Sequence, residues 1–324
     1  MIRTKTDGVL SAVGSTPLIR LERINHRRPK VRLYGKLEAL NPGGSIKDRS
    51  GLSMVRSALR DGLVDVGGTV IESSSGNMAI GMAQACSVLG LKFHCVTDVN
   101  ALSANIKLVR AYGGSVDVVS YQDADGGELL ATRLMRVRQL LAENPSAIWI
   151  NQYESKYNAM AHWDTMDEIQ RELAYKVDYV FCGMSSCGTI SGLAERVKEM
   201  GYDTKIIGVD AQGSAITSCS STIRNIPGMG AGIVPKLFSP DHADQFIEVS
   251  DVECIKGCRA LLRDEALLCG GSSGGLLSAF MRLSKTIEEG ANCVLILPDR
   301  GERYLDTVYS DEWVCQVFGE SALD

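Results

Sequence analysis

The chain lacks a basic excess: 34 Lys and Arg stand against 39 Asp and Glu, a net charge of −5, so no nucleic-acid partner is expected. Its 4 His lie scattered at 26, 94, 162 and 242, each read as structural or surface, and none has the Ser or Cys context of a nucleophile triad. Ten Cys contain no Cys-x-x-Cys and no neighbouring His pair, which argues against a zinc site, and no other metal is expected. Cys254 and Cys258 share a helical face at i,i+4 and read as packing. Asp167, Glu168 and Glu253 show no paired acid–base constellation. The N-terminus has no apolar signal-peptide core, so a reducing, cytoplasmic setting is expected. The longest uncharged run, Ser73–Leu91, contains Ser, Asn, Gln and three Gly, and reads as loop plus buried helix instead of a membrane span. Only 8 Pro accompany 33 Gly. That glycine excess is the one skewed figure, because 45% hydrophobic and 23% charged residues are otherwise ordinary for a globular protein.

A length of 324 residues, at about 100 to 200 per domain, favours two domains. Short β-rich runs at 31–38, 69–72, 92–96, 116–119, 147–151, 178–182, 205–209, 246–249 and 292–297 alternate with helical spacing at 46–60, 78–89, 102–111, 128–142, 189–199, 252–268 and 275–287. Strand–helix alternation predicts an α/β fold with mainly parallel sheets, since parallel strands need crossovers and helices are the usual ones. The polar stretch Glu154–Asn158 is the candidate boundary.

The glycines cluster after predicted strands, where open α/β sheets bind ligands and helix N-termini offer N–H donors to anions. Gly183-Met-Ser-Ser-Cys-Gly-Thr-Ile-Ser-Gly192 can enclose a phosphate with backbone N–H groups and the hydroxyls of Ser185, Ser186 and Thr189, or be an ordinary strand-to-helix turn. It is neither a P-loop nor a dinucleotide fingerprint. Ser73-Ser-Ser-Gly-Asn77 has more hydroxyls than one helix cap needs and suits a carboxylate. Asn41-Pro-Gly-Gly-Ser-Ile-Lys-Asp-Arg49 puts Lys47 in the first turn of a helix, where the dipole penalises its cation and favours the nucleophilic amine that Schiff-base lysines need. Alone, a Lys there is more often a solvated surface residue.

Those segments, with Gly270-Gly-Ser-Ser-Gly274, Leu297-Pro-Asp-Arg-Gly-Glu-Arg-Tyr-Leu305 and Val13-Gly-Ser-Thr-Pro-Leu18, resemble in order and spacing the cysteine synthase/cystathionine beta-synthase family of fold-type II pyridoxal-phosphate enzymes. The resemblance runs from about Val13 to Tyr309. It implies two α/β domains of tryptophan synthase beta-like fold and a homodimer, with the cofactor in the cleft. Residues 41–150 would form a smaller mobile domain, and 1–40 plus 151–324 a larger one. Lys47 matches the lysine that carries pyridoxal 5'-phosphate, and Asn77 the partner of its ring hydroxyl. Ser185, Ser186, Cys187, Gly188 and Thr189 match the phosphate cup, and Ser272 the partner of the pyridine nitrogen. Ser74, Ser75 and Gly76 match the loop that grips the amino-acid carboxylate, Gln152 matches a further substrate-loop contact, and Met78 belongs to the same loop. A hydroxyl at Ser272, in place of a carboxylate, leaves the ring nitrogen neutral and the electron sink weaker, which favours β-elimination to an α-aminoacrylate followed by addition of a nucleophile.

Several positions depart from the sulfhydrylase pattern: Met78 for Thr, Ser185 and Cys187 for glycines, and Asp299-Arg300 for a small hydroxylated pair. Sulfide needs almost no site, whereas a larger anionic nucleophile needs donors. With Trp149-Ile-Asn-Gln-Tyr153, these departures resemble a siderophore branch that joins O-phospho-L-serine to the amine of L-glutamate, giving a precursor of 2,3-diaminopropionate. Arg133 would then hold a glutamate carboxylate, with Tyr153 and Ser185 lining the acceptor pocket. The basic residues of Thr132-Arg-Leu-Met-Arg-Val-Arg138 equally suit a solvated helix face. The alternatives are an O-acetylserine or O-phosphoserine sulfhydrylase and a catalytically silent homologue that binds another enzyme.

Overall fold

The computed structural model describes residues 8–26, 30–120, 129–218 and 224–323. Along the chain the strands are β1 (Leu18–Arg20), β2 (Arg32–Leu37), β3 (Thr69–Ser73), β4 (Lys92–Asp98), β5 (Ser115–Val119), β6 (Ile148–Trp149), β7 (Tyr179–Gly183), β8 (Lys205–Ala211), β9 (Gln245–Val249) and β10 (Asn292–Leu297). The helices are α1 (Lys47–Arg60), α2 (Asn77–Leu89), α3 (Ser103–Ala111), α4 (Leu129–Glu143), α5 (Lys156–Met160), α6 (Trp163–Glu172), α7 (Gly188–Met200), α8 (Ala215–Ser218), α9 (Asp251–Glu265), α10 (Gly271–Leu283) and α11 (Asp311–Phe318). The α/β class with mainly parallel sheets is therefore observed.

Two compact units divide the chain. The first combines the described residues up to Val13 with Asn41–Asn158 and holds a sheet of order β5-β4-β3-β6, parallel throughout. Both faces of this sheet are covered, as parallel strands require. Val70, Phe93 and Cys95 join one core cluster with residues of α1 and α2, while Ile71, Val96 and Val119 join another with Val137 and Leu140 of α4. The unit differs from the expected 41–150 segment at both ends. Leu10 and Val13 are buried in the first cluster, and Tyr157, near the start of α5, is tied to α1. Ser53 Oγ donates to Tyr157 O at 2.8 Å, and Tyr157 Oη donates to Asp61 at 2.6 Å.

The second unit, Gly14–Leu40 with Ala159–Asp324, holds a sheet of order β1-β2-β10-β7-β8-β9. Only β1 pairs antiparallel, against β2. Every residue of β10 is buried. Lys36 on β2 is also fully buried, its charge met by Glu168 at 3.0 Å and Glu172 at 3.1 Å, both on α6, and by Thr16 O at 2.6 Å. Glu168 thus does belong to a carboxylate constellation, one that surrounds a cation and anchors the Ser15–Leu18 segment, with Ser15 N donating to it at 2.9 Å.

The clearest departure from the expected elements is α10, which begins at Gly271 and not Gly275. Three glycines inside its first two turns each cost about 1 kcal/mol of helix propensity, yet packing demands them. A Cβ on Gly274 would lie 2.0 Å from Cys254 O, and one on Gly257 of α9 would lie 2.1 Å from Gly274 O. The two helices touch backbone to backbone. Gly→Ala inside a helix ordinarily stabilises by roughly 0.5–1 kcal/mol. Gly257→Ala is expected to do the reverse, destabilising by about 1–3 kcal/mol in urea unfolding, because α10 must be pushed away.

Candidate active site

In the first unit, β3 delivers Ser73 to the carboxyl edge of the sheet, and the chain turns through Ser74–Gly76 into α2. The turn is held from behind. Ser74 N donates to Val96 O at 3.0 Å, Cys95 Sγ to Ser74 O at 3.2 Å, and Asn105 Nδ2 to Ser75 O at 3.3 Å. Ser74 Oγ accepts from Gly76 N at 3.3 Å. Gln152 folds onto the same place, its Nε2 donating to Ser73 O at 3.0 Å. Tyr153 follows it, half-buried, its N–H donating to Asn151 Oδ1 at 3.3 Å. Ser74, Ser75, Gly76, Asn77 and Gln152 are therefore brought together.

Lys47 is the first residue of α1, half-buried, its N–H donating to Ser45 Oγ at 3.2 Å. The preceding turn is built around Asp48. Gly43 N donates to Asp48 Oδ2 at 2.5 Å, a Cβ on Gly43 would meet that carboxylate at 2.6 Å, and Gly44 has φ +88°. Helices α1 and α2 then cross at glycine. A Cβ on Gly81 would lie 2.6 Å from Lys47 O, and one on Gly51 2.8 Å from the Gly81 carbonyl carbon. Asn77 stands one turn before Gly81, and Lys47 one turn before Gly51.

Two expected substrate residues sit differently. The Met78 side chain is buried in the apolar cluster with Val70, Phe93 and Cys95, so it packs the core and leaves the loop only its backbone. Arg133 is no solvated helix residue. It is buried on α4, with Nε 3.3 Å from Asp98 at the end of β4, so a ligand carboxylate would share its guanidinium with Asp98.

In the second unit, β7 leads through Met184–Cys187 into α7. Cys187, where the family pattern has glycine, adopts the left-handed φ of +62°, a conformation that costs a residue with Cβ roughly 1–2 kcal/mol. It is buried, its thiol directed at Ser185 O. Thr189 Oγ1 hydrogen-bonds His162 Nε2 at 3.3 Å, and His162 Nδ1 lies 3.4 Å from Thr165 Oγ1. His162 is wholly buried behind the cup. Ser272, the second residue of α10, is also buried. A Cβ on Gly228 (φ +98°) would come within 3.8 Å of its hydroxyl, and Gly230 N donates to Met184 O at 2.7 Å. The Gly228–Gly230 segment thus links the cup to Ser272. The alternating glycines at 228, 230 and 232 were the available signal for it. Asp299 closes the arrangement: it accepts from Tyr304 Oη at 2.5 Å, and its backbone O accepts from Gly270 N at 3.2 Å. Burial beside that carboxylate pushes the Tyr304 hydroxyl well up, keeping it a donor.

The helix ends differ electrostatically. Helices α9 and α11 are capped by Ser250 and Ser310 and carry acids in their first turns. Helices α2, α7 and α10 have neither a side-chain cap nor a first-turn acid, despite the serines around them, so their N–H groups and positive dipole ends suit an anion. This donor set fits pyridoxal phosphate: uncapped N–H groups and hydroxyls at 185–189 for a phosphate ester, a buried neutral hydroxyl at Ser272 for a ring nitrogen, and an amine at Lys47 for an aldehyde. Among the described residues, no cluster of three His, Cys, Asp or Glu is arranged to hold a metal, nine cysteines are joined in no disulfide, and no helix is long and apolar enough to cross a membrane.

Comparison with known proteins agrees with this chemistry. The family model described as pyridoxal-phosphate dependent enzyme matches residues 9–299. The chain is 41% identical over 315 residues to N-(2-amino-2-carboxyethyl)-L-glutamate synthase of Ralstonia nicotianae, covering 97% of this chain and 93% of that protein. Among solved structures, O-acetylserine dependent cystathionine beta-synthase from Helicobacter pylori superposes with a TM-score of 0.87 at 28% identity, covering 96% of this chain and 100% of that one. O-ureido-L-serine synthase does so with 0.84 at 27%, covering 95% and 98%. The chain belongs to the pyridoxal-phosphate dependent enzymes, in the fold-type II family of cysteine synthase and cystathionine beta-synthase.

Proposed function

We propose that the protein replaces the β-substituent of O-phospho-L-serine with the amine of L-glutamate, giving N-(2-amino-2-carboxyethyl)-L-glutamate and phosphate. The observation that carries this reading is the 41% identity, over 97% of the chain, to a synthase of that product. Pyridoxal phosphate, when bound, supplies the electron sink that lets the α-proton leave. This chain's residues do the rest. Lys47 holds the cofactor and, once released from it, takes the α-proton on Nζ and later returns it. Ser272 presents a hydroxyl to the ring nitrogen, and Asn77 serves the ring hydroxyl. The 185–189 segment holds the phosphate ester, with Thr189 oriented by His162. Ser74–Gly76 and the backbone at Met78 receive the amino-acid carboxylate, Gln152 adds a further contact to that loop, and Tyr153 and Ser185 are assigned to the acceptor. Arg133, engaged by Asp98 through Nε, would offer glutamate the other edge of its guanidinium. A homodimer working in the cytoplasm belongs to the same reading; the absence of disulfides among the described cysteines supports the reducing setting alone.

Incubating the holoenzyme with phosphoserine and either glutamate or sulfide, and weighing the product, tests the proposal. The glutamate adduct with one equivalent of phosphate is expected; cysteine from sulfide with no adduct would overturn it. Lys47→Ala is expected to abolish the Schiff-base absorbance and lower turnover by at least about 10²–10⁴-fold. His162→Leu removes the partner of Thr189, and should raise the dissociation constant for pyridoxal phosphate by about tenfold, roughly one hydrogen bond's worth, in a cofactor fluorescence titration.

A further inference from the structure

Glu72 is the last residue but one of β3, completely buried, and plays no part in the chemistry above. Every hydrogen bond the structure gives it comes from a donor. Its Oε1 accepts from Ser73 N at 3.0 Å and from the Trp149 indole at 3.3 Å, and its Oε2 accepts from Gln152 N at 3.3 Å. The Asn151 N–H also stabilises its charged form. These donors come from the end of β3 that opens Ser74–Gly76, from Trp149 on β6 and from the turn after β6 that carries Gln152, so they include both segments assigned to the substrate. The Gln152 side chain then bonds Ser73 O, closing a ring of contacts around the Glu72 carboxylate.

We propose that Glu72 is a positioning residue for amino-acid binding, holding the Ser74–Gly76 turn and Gln152 in register, and that it does so only as the carboxylate. The inference rests on the functional reading above. An ionised carboxylate accepts from every one of these N–H groups. Protonation turns one oxygen into a donor facing donors, and the turn after β6 loses its anchor. Burial pushes Glu72 up to about 7 even though its hydrogen bonds favour the charged form, so this change falls near neutral pH.

The surroundings contribute little competing charge. On β4, Cys95 lies opposite Glu72 in register, and burial pushes its thiol up to about 12, so it stays neutral. Arg133 and Asp117 act on that thiol from α4 and β5. Arg133 pairs with Asp98, and Asp117 with His94 at 3.1 Å and Arg136 at 2.8 Å. On β6, Trp149 does not titrate.

Stability and binding should respond oppositely to pH. A carboxyl raised in the folded state binds its proton more tightly folded than unfolded, so its contribution to folding is largest at low pH and falls as pH rises towards about 7. The binding geometry is best above it. A merely structural residue would show only the first trend.

The test uses holoenzyme in a Trp163→Phe/Trp313→Phe background, leaving Trp149 as the fluorophore. Its emission is expected to titrate with a midpoint near 7, to lose that inflection in Glu72→Gln and to keep it in His94→Gln. Phosphoserine binding, followed by cofactor absorbance, supplies the second readout. Because the ligand's phosphate itself titrates near about 6, the ratio of dissociation constants between Glu72→Gln and wild type is the measure. It should be about tenfold near pH 8, one anchoring contact's worth, and approach one near pH 6, with kcat changed less than about twofold. Should Glu72→Gln fail to fold, Trp149→Phe removes one donor to the carboxylate and should move the pH midpoint of binding upward. An inflection that persists in Glu72→Gln, equal binding by that variant near pH 8, or an unmoved midpoint in Trp149→Phe overturns the Glu72 proposal alone. A wild-type enzyme that titrates as expected but does not bind phosphoserine sinks the functional reading, and the positioning role with it.

Discussion

The site depends on helices that touch their neighbours through backbone. A helix N-terminus serves an anion only if its first turn is held where the ligand comes, and here that is done by removing side chains at the crossing points. In the first unit, Gly51 and Gly81 bring α1 and α2 together, so the carbonyl of Lys47 itself is part of the contact. In the second, Gly257 and Gly274 do the same for α9 and α10, and Gly192 brings α7 against Ala159, where a Cβ would lie 2.0 Å from the carbonyl. Each crossing lies within about one turn of a residue assigned to the chemistry: Lys47, Asn77, Thr189 or Ser272. The helix propensity lost at these glycines, about 1 kcal/mol each, is offset by close packing that side chains would prevent.

The same economy appears in how charge is distributed. Within the second unit, the buried cation Lys36 is surrounded by Glu168 and Glu172 and fixes the start of the sheet. At the ends of β7 and into α10, by contrast, the assigned groups are hydroxyls, a thiol and uncapped N–H donors. An ordinary solvated helix start would be neutralised by an Asp, a Glu or a Ser cap, as α9 and α11 are. Leaving the dipole ends of α7 and α10 unneutralised, and accepting a strained φ at Cys187, has a physical reason if a phosphate ester supplies the missing negative charge.

Much of this was legible in the sequence, for a particular reason. Parallel strands covered on both faces are short apolar runs, and turns at their carboxyl ends need Gly and Ser, so strand positions and the segments at 41–49, 73–77 and 183–192 stand out together. What was not legible depended on tertiary contact. Gly271 and Gly274 look like loop by propensity and are helix, with Ile226 against the first and Cys254 and Cys258 against the second. Met78 stands in a ligand loop by position, yet its side chain faces the core. Arg133 reads as one of three exposed basic residues on a helix until Asp98, far along the chain, is found beside it. The setting of Glu72 was hidden for the same reason, since apart from the adjacent Ser73 N its donors come from residues 77 and 80 positions away.

Met78, Arg133 and Glu72 share a place in the fold, around the carboxyl end of β3 and β4. A catalytic segment can be recognised from its own composition because it must meet the ligand directly. The groups that fix its geometry meet only protein, and their chemistry is set by what buries them. Cys95 illustrates this: its thiol donates to Ser74 O and faces Glu72 across the sheet, yet nothing in its local sequence separates it from Cys86, which is buried on α2 as a small apolar side chain. Buried polar groups of this kind are costly unless satisfied. Around Glu72 the hydrogen bonds come from the end of β3, from Trp149 on β6 and from the turn after it, so satisfying the carboxylate also ties those segments together.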